Sequence, residues 1–555
     1  MLKKVKGKLF MKTVPTPIPV RGLSPLAGYV MLTSRLRSLV TLTAFCLALL
    51  LAPAALAQSV PFVNPPNIVY GGGVVELTAA PSRITWAGQT VTTNVYSARY
   101  NGSTVPPSYT PPTIRTKPKE FRELKLKLVN RTGPFNLDCV MDHHFTNLHY
   151  HGFEVSPMAP SDDVVSIHVP VGQDYNYVVP FPEIPGKEHP EGMFWYHPHP
   201  HGCSFAQVND GLSGALIVGD ILKSRYPQLV GIREQVLLLK DGKPMRAAAR
   251  KEEAAVLAFA AHPEAPPAAP PKITVNGLDK PRISFQPGEL QFFRIGNVGA
   301  NAYVNIATPG VESWVIAADG MPTQRPILVN SAKGWVLPPG SRVEIIVIAP
   351  NQPGTYELRS LPVSSSFGSE EILATLHVSK TVTKSLTSHN RARLAALRSA
   401  PSTPSNYYPL PTDFAQTETA PGCEIHAKSK KYPEYSFVFT SANGQFMMND
   451  KVYDEKFIDV TCPIPSKPTW TVFNDTDQHH TFHIHQIHFR VDKIGDHVVT
   501  DDEAPLRDNV DVPPHTVVQL TLPFDESYLA GKFVLHCHIL AHEDRGMMMN
   551  IELHR

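Results

Sequence analysis

An all-β protein built from several sandwiches is what this sequence predicts, on three observations. Few stretches repeat apolar residues at helical spacing. Instead Val, Ile, Thr and Tyr alternate with polar residues between Pro- and Gly-bearing turns, the period-two pattern of half-buried strands. Proline is abundant, at 54 residues, and charged residues make up only 18% of the chain. At 555 residues the chain is too long for one ordinary core, so about two to four domains are expected.

Taken in order, the first 57 residues carry eight Lys or Arg and no acid. Arg35 and Arg37 precede the apolar run Leu39–Leu51, and Ala55-Leu56-Ala57 is a small-residue cleavage site, which together read as an export signal. Met31 offers a second translation start just before it. The apolar run is short for a membrane span, so no stable anchor is expected after cleavage. Without this leader 43 basic residues face 49 acidic ones; the formal net charge of +2 for the whole chain therefore gives no case for nucleic acid. Ser34-Arg35-Leu36-Arg37 is not a twin arginine, which favours unfolded export to a periplasmic or secreted location and metal loading there.

Three segments follow. The first, 58–221, holds histidine-rich clusters. The second, 222–384, has almost none, with His262 and His377 standing alone. The third, 407–555, is histidine-rich again. Between the last two, 385–406 is first Arg/Ala-rich and then Pro/Ser/Thr-rich, the composition of an exposed linker that starts with a short helix. The Pro/Ala-rich stretch Pro263–Pro271 reads as a surface loop. A weak internal likeness joins the segments: Leu124–Asn130, the run from Phe285 to Asn297, and Trp470–Asn474 each alternate apolar residues and close on asparagine, as duplicated sandwich domains would.

Six cysteines are few. Cys46 leaves with the leader and Cys537 lies between two histidines. Cys139, Cys203, Cys423 and Cys462 are enough for two disulfides in an oxidising compartment, and their spacing leaves three pairings open.

Histidines cluster at four places: His149/His151, His197/His199/His201, His480/His483/His485 and His536/His538/His542. Side chains at i and i+2 of a strand share one face, so each His-x-His pair aims two imidazoles at one region. Imidazole suits Cu, Zn, Fe and Ni. The last cluster is the most specific. His542 lies five residues after Cys537 and Met547 ten; with His480 they offer two imidazoles, a thiolate and a distant thioether, the ligand set of a blue-copper site. His536 and His538 flank the cysteine and, on a strand, point to the opposite face, toward a second metal site.

These motifs resemble the multicopper oxidase family, which includes laccases, ascorbate oxidases and bacterial copper oxidases. The resemblance spans nearly all of the chain after the leader. It rests on Thr146-Asn-Leu-His-Tyr-His-Gly152, Gly192-Met-Phe-Trp-Tyr-His-Pro-His199, the His480–His485 cluster and His536-Cys-His-Ile-Leu-Ala-His-Glu-Asp-Arg-Gly-Met547. In the middle segment it rests on Val275-Asn276-Gly277, Phe293-Arg294-Ile295, Ala318-Asp319-Gly320 and Pro339-Gly340-Ser341-Arg342-Val343. It implies three cupredoxin-like Greek-key β-sandwiches and four copper ions. The type 1 copper would take His480, Cys537 and His542 with Met547 axial, and the type 2 copper His149 and His483. The type 3 pair would take His151, His197, His199, His485, His536 and His538. Electrons from small reductants would reach the type 1 site singly, cross Cys537 to His536 and His538, and reduce dioxygen to water between the first and third domains. The resemblance also implies proton delivery by Glu543 and by Asp162, although the adjacent Asp163 leaves the choice between the two aspartates open.

His143, His144, His201, His479 and His488 are read as structural or supporting, and Trp195 and Tyr196 as packing beside the cluster. An axial Met547 lowers the type 1 potential relative to an apolar residue, which argues for easily oxidised donors such as phenols and aromatic amines. A metallo-oxidase acting on Cu(I), Fe(II) or Mn(II) is the alternative, and the 13 scattered methionines form no long Met-rich insert. A non-enzymatic role, as an envelope scaffold or a copper-binding protein, is a further alternative; a scaffold that has lost its copper ligands conflicts with the intact set, and a nitrite reductase would not need eight further histidines. Oligomeric state leaves no signal in the sequence.

Overall fold

The computed structural model describes residues 60–555 apart from 142–144, 243, 245–271, 365–366, 369, 381–383, 401–406, 408–413, 415–421 and 501–505. The leader 1–57, Pro263–Pro271, His143, His144 and His262 lie outside the described residues. Among the described residues no helix is long and apolar enough to cross a membrane.

Alternation dictates the strands. Glu123–Asn130 buries every second residue, with Leu124, Leu126 and Leu128 fully enclosed. Each such leucine contributes about 1.5–3 kcal/mol relative to an exposed one. The equivalent runs form Leu290–Asn297 and Thr469–Asn474. All three end on a buried asparagine whose amide ties down the next loop: Asn130 donates to the Val169 carbonyl, Asn297 to Ala302 and Leu337, and Asn474 to Gln478 and Val512. The internal repeat is therefore a repeated structural unit.

Six main sheets pair into three sandwiches, each around its own apolar core. In the first, one sheet orders Asn67–Val69, Thr113–Thr116, Gly214–Val218, Gly192–His197 and His149–His151, so a histidine-bearing strand forms its edge. The middle sandwich centres on Leu290–Asn297 and Arg342–Ile348, which pair antiparallel. In the third, one sheet orders Glu424–Ile425, Val460–Pro463, Met548–His554, Gly531–Cys537, His480–Ile484 and Asn509–Val512. Its register sets His483 opposite His536 and Phe482 opposite Cys537.

Two segments sit differently from the sequence-based expectation. Residues Val60–Asn64 run along the middle sandwich, where the backbone of Val60 and Phe62 bonds to Arg282 and Asn64 accepts from the Val236 N–H. The stretch expected as an exposed linker carries helix Lys384–Arg398, and Leu397 is buried in a cluster with Leu229, Leu290 and Phe292. Asn390 and Arg393 donate to the Gly288, Gln228 and Val230 carbonyls, which fastens the helix to the middle sandwich. The cysteines pair as Cys139–Cys203 and Cys423–Cys462, leaving Cys537 as the one free, buried thiol among the described residues.

Candidate metal centre

Strand Gly531–Cys537 and the short helix Leu540–Glu543 that follows it place the first group of ligands. Cys537 Sγ lies 3.5 Å from His480 Nδ1 and 3.7 Å from His542 Nδ1, and the two imidazole nitrogens are 3.1 Å apart. All three residues are buried, as is Met547, whose carbonyl accepts the Cys537 N–H. Thr476 Oγ1 sits 2.8 Å from His480 Nε2, fixing the ring's far side, and Phe446 stacks on His542 at 3.9 Å. Burial pushes the Cys537 thiol up to about 12 and holds His480 at about 3, so the imidazoles are neutral and the thiol keeps its proton until a cation displaces it.

On the opposite face of the same strand His536, with His538 just past the strand's end, joins six other buried imidazoles: His149, His151, His197, His199, His483 and His485. His536 Nε2 lies 3.2 Å from both His199 Nε2 and His485 Nε2, and His538 Nε2 lies 3.2 Å from His151 Nδ1. His149 stacks on His485 at 3.8 Å and His151 on His483 at 4.1 Å, interleaving rings of the first and third sandwiches. Ligand atoms of His149, His483 and His485 converge within 4.8 Å of one another, as do those of His199, His485 and His536, and of His149, His151 and His197.

The chemistry of these nitrogens fits bound copper. Backbone carbonyls hold Nδ1 of His197, His483 and His536, and Asp162 holds Nδ1 of His149 at 2.9 Å. The opposite nitrogens, Nε2 of His149, His197 and His483, are buried without a hydrogen-bond partner, as are Nδ1 of His485 and His538. Each such atom costs about 1–3 kcal/mol if left unpaired, and several converging lone pairs are what a cluster of cations needs. Burial, then repulsion between neighbouring rings, lowers His149, His151, His485 and His538 and holds His197 at about 3; burial holds His199 at about 4 against the opposing pull of Glu543.

Among the carboxylates that border the cluster are the two sequence-predicted ones, Asp162 and Glu543. Asp162 is buried; besides His149 it accepts from the Tyr150 N–H at 3.0 Å and the Gln486 amide at 2.8 Å, and burial lifts it to about 8. Asp163 instead accepts from the N–H groups of Val165 and Ser166 in a partly exposed turn. Glu543 is buried 3.1 Å from His536 Nδ1 and 3.7 Å from His199 Nε2, and neither carboxylate oxygen is aligned for a hydrogen bond. Burial raises its pKa, but His199 and His536 outweigh this and hold it below the usual carboxylate range. Its neighbour Asp544 accepts from the N–H groups of Ser204 and Phe205, fastening the third sandwich to helix Ser204–Asp210 of the first.

Family models described as multicopper oxidase match residues 108–222, 243–381 and 425–554, together more than half of the chain. The chain belongs to the multicopper oxidase family. It is similar to the multicopper oxidase mco of Staphylococcus aureus, at 24% identity over 82% of this chain and 83% of the relative. It is similar to a laccase of Bacillus subtilis at 24% identity, over 65% and 70%. Among solved structures, McoA multicopper oxidase of Aquifex aeolicus has a TM-score of 0.66 at 20% identity, over 90% of this chain and 100% of that one. A multicopper oxidase of Campylobacter jejuni, described as a metallo-oxidase, has a TM-score of 0.62 at 21% identity, over 89% and 95%. This multicopper oxidase thus has three cupredoxin-type domains and is a copper oxidoreductase that takes electrons from a donor and passes them to dioxygen.

Other histidines of the oxidase stand around the site. His479 pairs with Asp511 and His488 with Glu154, while His377 is exposed on the middle sandwich. His201 stacks edge-on with Tyr453 and, with His199, lines a crevice of about 70 Å³. Trp195 stacks on His197 at 4.1 Å, as a packing residue would. Residues that the sequence did not single out include Thr476, Gln486, Asp508 and Asn509. Thr476 could have been found, four residues before His480; the others carry no spacing that marks them.

Proposed function

We propose that this oxidase couples one-electron oxidation of small aromatic reductants, phenols and aromatic amines, to the four-electron reduction of dioxygen to water. One copper would be held by His480, Cys537, His542 and Met547. Three more would lie among the eight imidazoles, a type 2 ion at His149 and His483 and a type 3 pair at the other six. The observation that carries this reading is the double-faced strand end: Cys537 packs against His480 and His542 while His536 and His538, bonded to it through the backbone, enter the imidazole cluster. Copper, when bound, supplies the reducing equivalents that dioxygen requires.

The chain's own part is orientation and proton supply. Asp162 keeps the His149 Nδ1–H directed outward so that Nε2 faces the cluster. Glu543 and Asp162 are the buried carboxylates placed to carry protons, one at His199 and His536, the other at His149. At the donor side, Phe446 covers a face of His542 and the partly exposed Val452 packs over Gly546, an apolar rim that suits an aromatic ring. The likeness to a protein named laccase supports the same donor class. A metal-ion donor is the second reading, favoured by half-buried Met447 beside Phe446, because thioethers suit Cu(I), and by the likeness to a described metallo-oxidase. We also propose export to a periplasmic or secreted location, which the leader and the two disulfides support.

The deciding experiment is dioxygen uptake by copper-loaded enzyme with a phenol, Cu(I) and Fe(II), each corrected for spontaneous oxidation. Fast uptake with the phenol, four electrons consumed per dioxygen, is expected. Uptake confined to a metal ion overturns the aromatic-donor reading, and none with any donor overturns the oxidase reading.

A further inference from the structure

The middle sandwich contributes none of the proposed ligands, yet one of its turns reaches the imidazole cluster. The segment Pro338-Pro339-Gly340-Ser341 leads into strand Arg342–Ile348. Gly340 has φ +89°, and a Cβ there would stand 3.1 Å from His151 Cε1, His538 Cδ2 and Asn509 Nδ2. Only glycine lets backbone press against both rings in this conformation. The Gly340 carbonyl accepts from Trp195 Nε1 at 3.1 Å, behind His197, and from Arg342 Nη1 at 3.1 Å.

Arg342 is fully buried. Its Nε donates to the Met193 carbonyl at 3.1 Å, and Nη1 and Nη2 grip Asp508 at 2.8 and 2.7 Å. Asp508, also buried, touches two ligand rings at once. Its carboxylate Oδ1 is 3.4 Å from His151 Nε2, and its backbone carbonyl accepts from His483 Nδ1 at 2.8 Å. Asn509 closes the far side, its amide 2.6 Å from Asp508 Oδ1 and 2.9 Å from His151 Nε2. The two rings held this way stack within 11° of parallel, with His151 Nδ1 facing His538 and His483 Nε2 left without a protein partner. A Cβ on Gly152 would overlap both Arg342 Nη2 and Asp508 Oδ2, so the pair is also packed against the first sandwich. Although Asp508 Oδ atoms lie within reach of a cation shared with His151 and His483, the bidentate guanidinium commits them elsewhere.

We propose that Arg342 and Asp508 form a positioning pair through which the middle sandwich sets the orientation of His151 and His483. This rests on the reading of the eight imidazoles as a copper cluster. Arg342 fixes the carboxylate; the carboxylate, with the Asn509 amide that donates to it packed alongside, faces Nε2 of His151, and Nδ1 is thereby turned inward. Residues that hold a ligand imidazole in this way typically change metal affinity 10- to 100-fold when altered.

The test compares full-length D508N and R342K with wild type and with E234Q. Glu234 bridges Arg115 of the first sandwich and Arg294 of the middle one at 2.6 and 2.5 Å, a domain-joining ion pair that touches no ligand. Copper per chain is measured by mass spectrometry under a graded chelator. The fraction of bound copper visible by EPR, and the blue absorption of the Cys537 site, are read on the same samples. D508N is expected to keep its blue absorption, lose copper to roughly 10- to 100-fold weaker chelator, and show a larger EPR-visible fraction as the cluster is disrupted. R342K, which keeps the charge but not the fork, is expected to fall between D508N and wild type, and it carries the test if D508N does not fold. E234Q is expected to match wild type in both copper readouts. Wild-type copper retention and EPR in both variants overturns the proposal, as does an equal loss in E234Q. A wild-type protein holding a single blue copper overturns the cluster reading itself, and is recognised before any variant is made.

Discussion

At Asp162 and Asp163 one peptide bond separates a carboxylate enclosed behind His149 from one that closes a surface turn. Their expected substitution effects therefore differ in kind. Asp162→Asn keeps the side chain's size but removes the group placed to exchange protons beside the cluster; turnover should fall by roughly 100-fold or more, the usual scale of a lost acid–base group. Asp163→Asn weakens the turn that holds the N–H groups of Val165 and Ser166 and should cost about 0.5–1.5 kcal/mol of stability with turnover within about twofold. Steady-state dioxygen uptake and thermal melting of the two variants check this; slow Asp163→Asn with unimpaired Asp162→Asn would reverse the assignment. The sequence marks the pair of aspartates but not the choice between them. That choice depends on which side chain the turn rotates inward, to meet the Tyr150 N–H and a glutamine more than three hundred residues away.

At the scale of elements, the three asparagine-terminated strands are one device used in different contexts. In the third sandwich Asn474 also accepts from the N–H and hydroxyl of Thr476, whose oxygen meets His480 Nε2, so the strand end is coupled to the Cys537 site. Asn474→Ala removes the amide's hydrogen bonds to the part-buried Gln478 carbonyl and the buried Val512 carbonyl, and should cost about 2–4 kcal/mol while shifting the blue absorption. Asn297→Ala in the middle sandwich should cost a similar amount with the absorption unchanged, and spectra and melting of both variants measure it; an unshifted Asn474→Ala spectrum would uncouple the turn from the site. The strands themselves were legible, because alternation reports burial directly, as in Glu123–Asn130. The docking of helix Lys384–Arg398 was not: its Arg/Ala composition reads as a short helix opening an exposed linker, whereas the contacts that fasten it, Leu397 in a cluster with Leu290 and Phe292 and Asn390 donating to the Gly288 carbonyl, join residues far apart in the chain.

For the whole molecule, the cluster is a seam between distant parts of the chain. His199 and His536 face each other across 337 residues, and Asp544 caps a helix of the first sandwich across 340. Local spacing made the histidines readable, since His-x-His and His-Cys-His carry their geometry within a strand. The ion pair Arg342–Asp508 and the pair Glu154–His488 were illegible, because partners 166 and 334 residues apart share no period or motif. Copper bound across such a seam favours the docked form by mass action, about 4 kcal/mol per site at a thousand times its dissociation constant, so chelated enzyme should melt well below the loaded form. Reloading should then depend on pH in a defined direction. Burial holds the Cys537 thiol up to about 12, so at neutral pH a proton must leave before sulfur can bind. Below that value the thiolate fraction rises tenfold per pH unit, and the rate at which blue absorption returns should rise about tenfold per unit between pH 6 and 8. The imidazoles contribute no opposing slope there, because His480 stays neutral down to about 3 and burial also keeps His542 low. Stopped-flow reloading with buffered copper at three pH values reads this directly. A pH-independent rate would mean that the thiol has already lost its proton in the metal-free enzyme, and that the pocket around Cys537 is more open or more positively charged than its packing against Phe446, His480 and His542 implies.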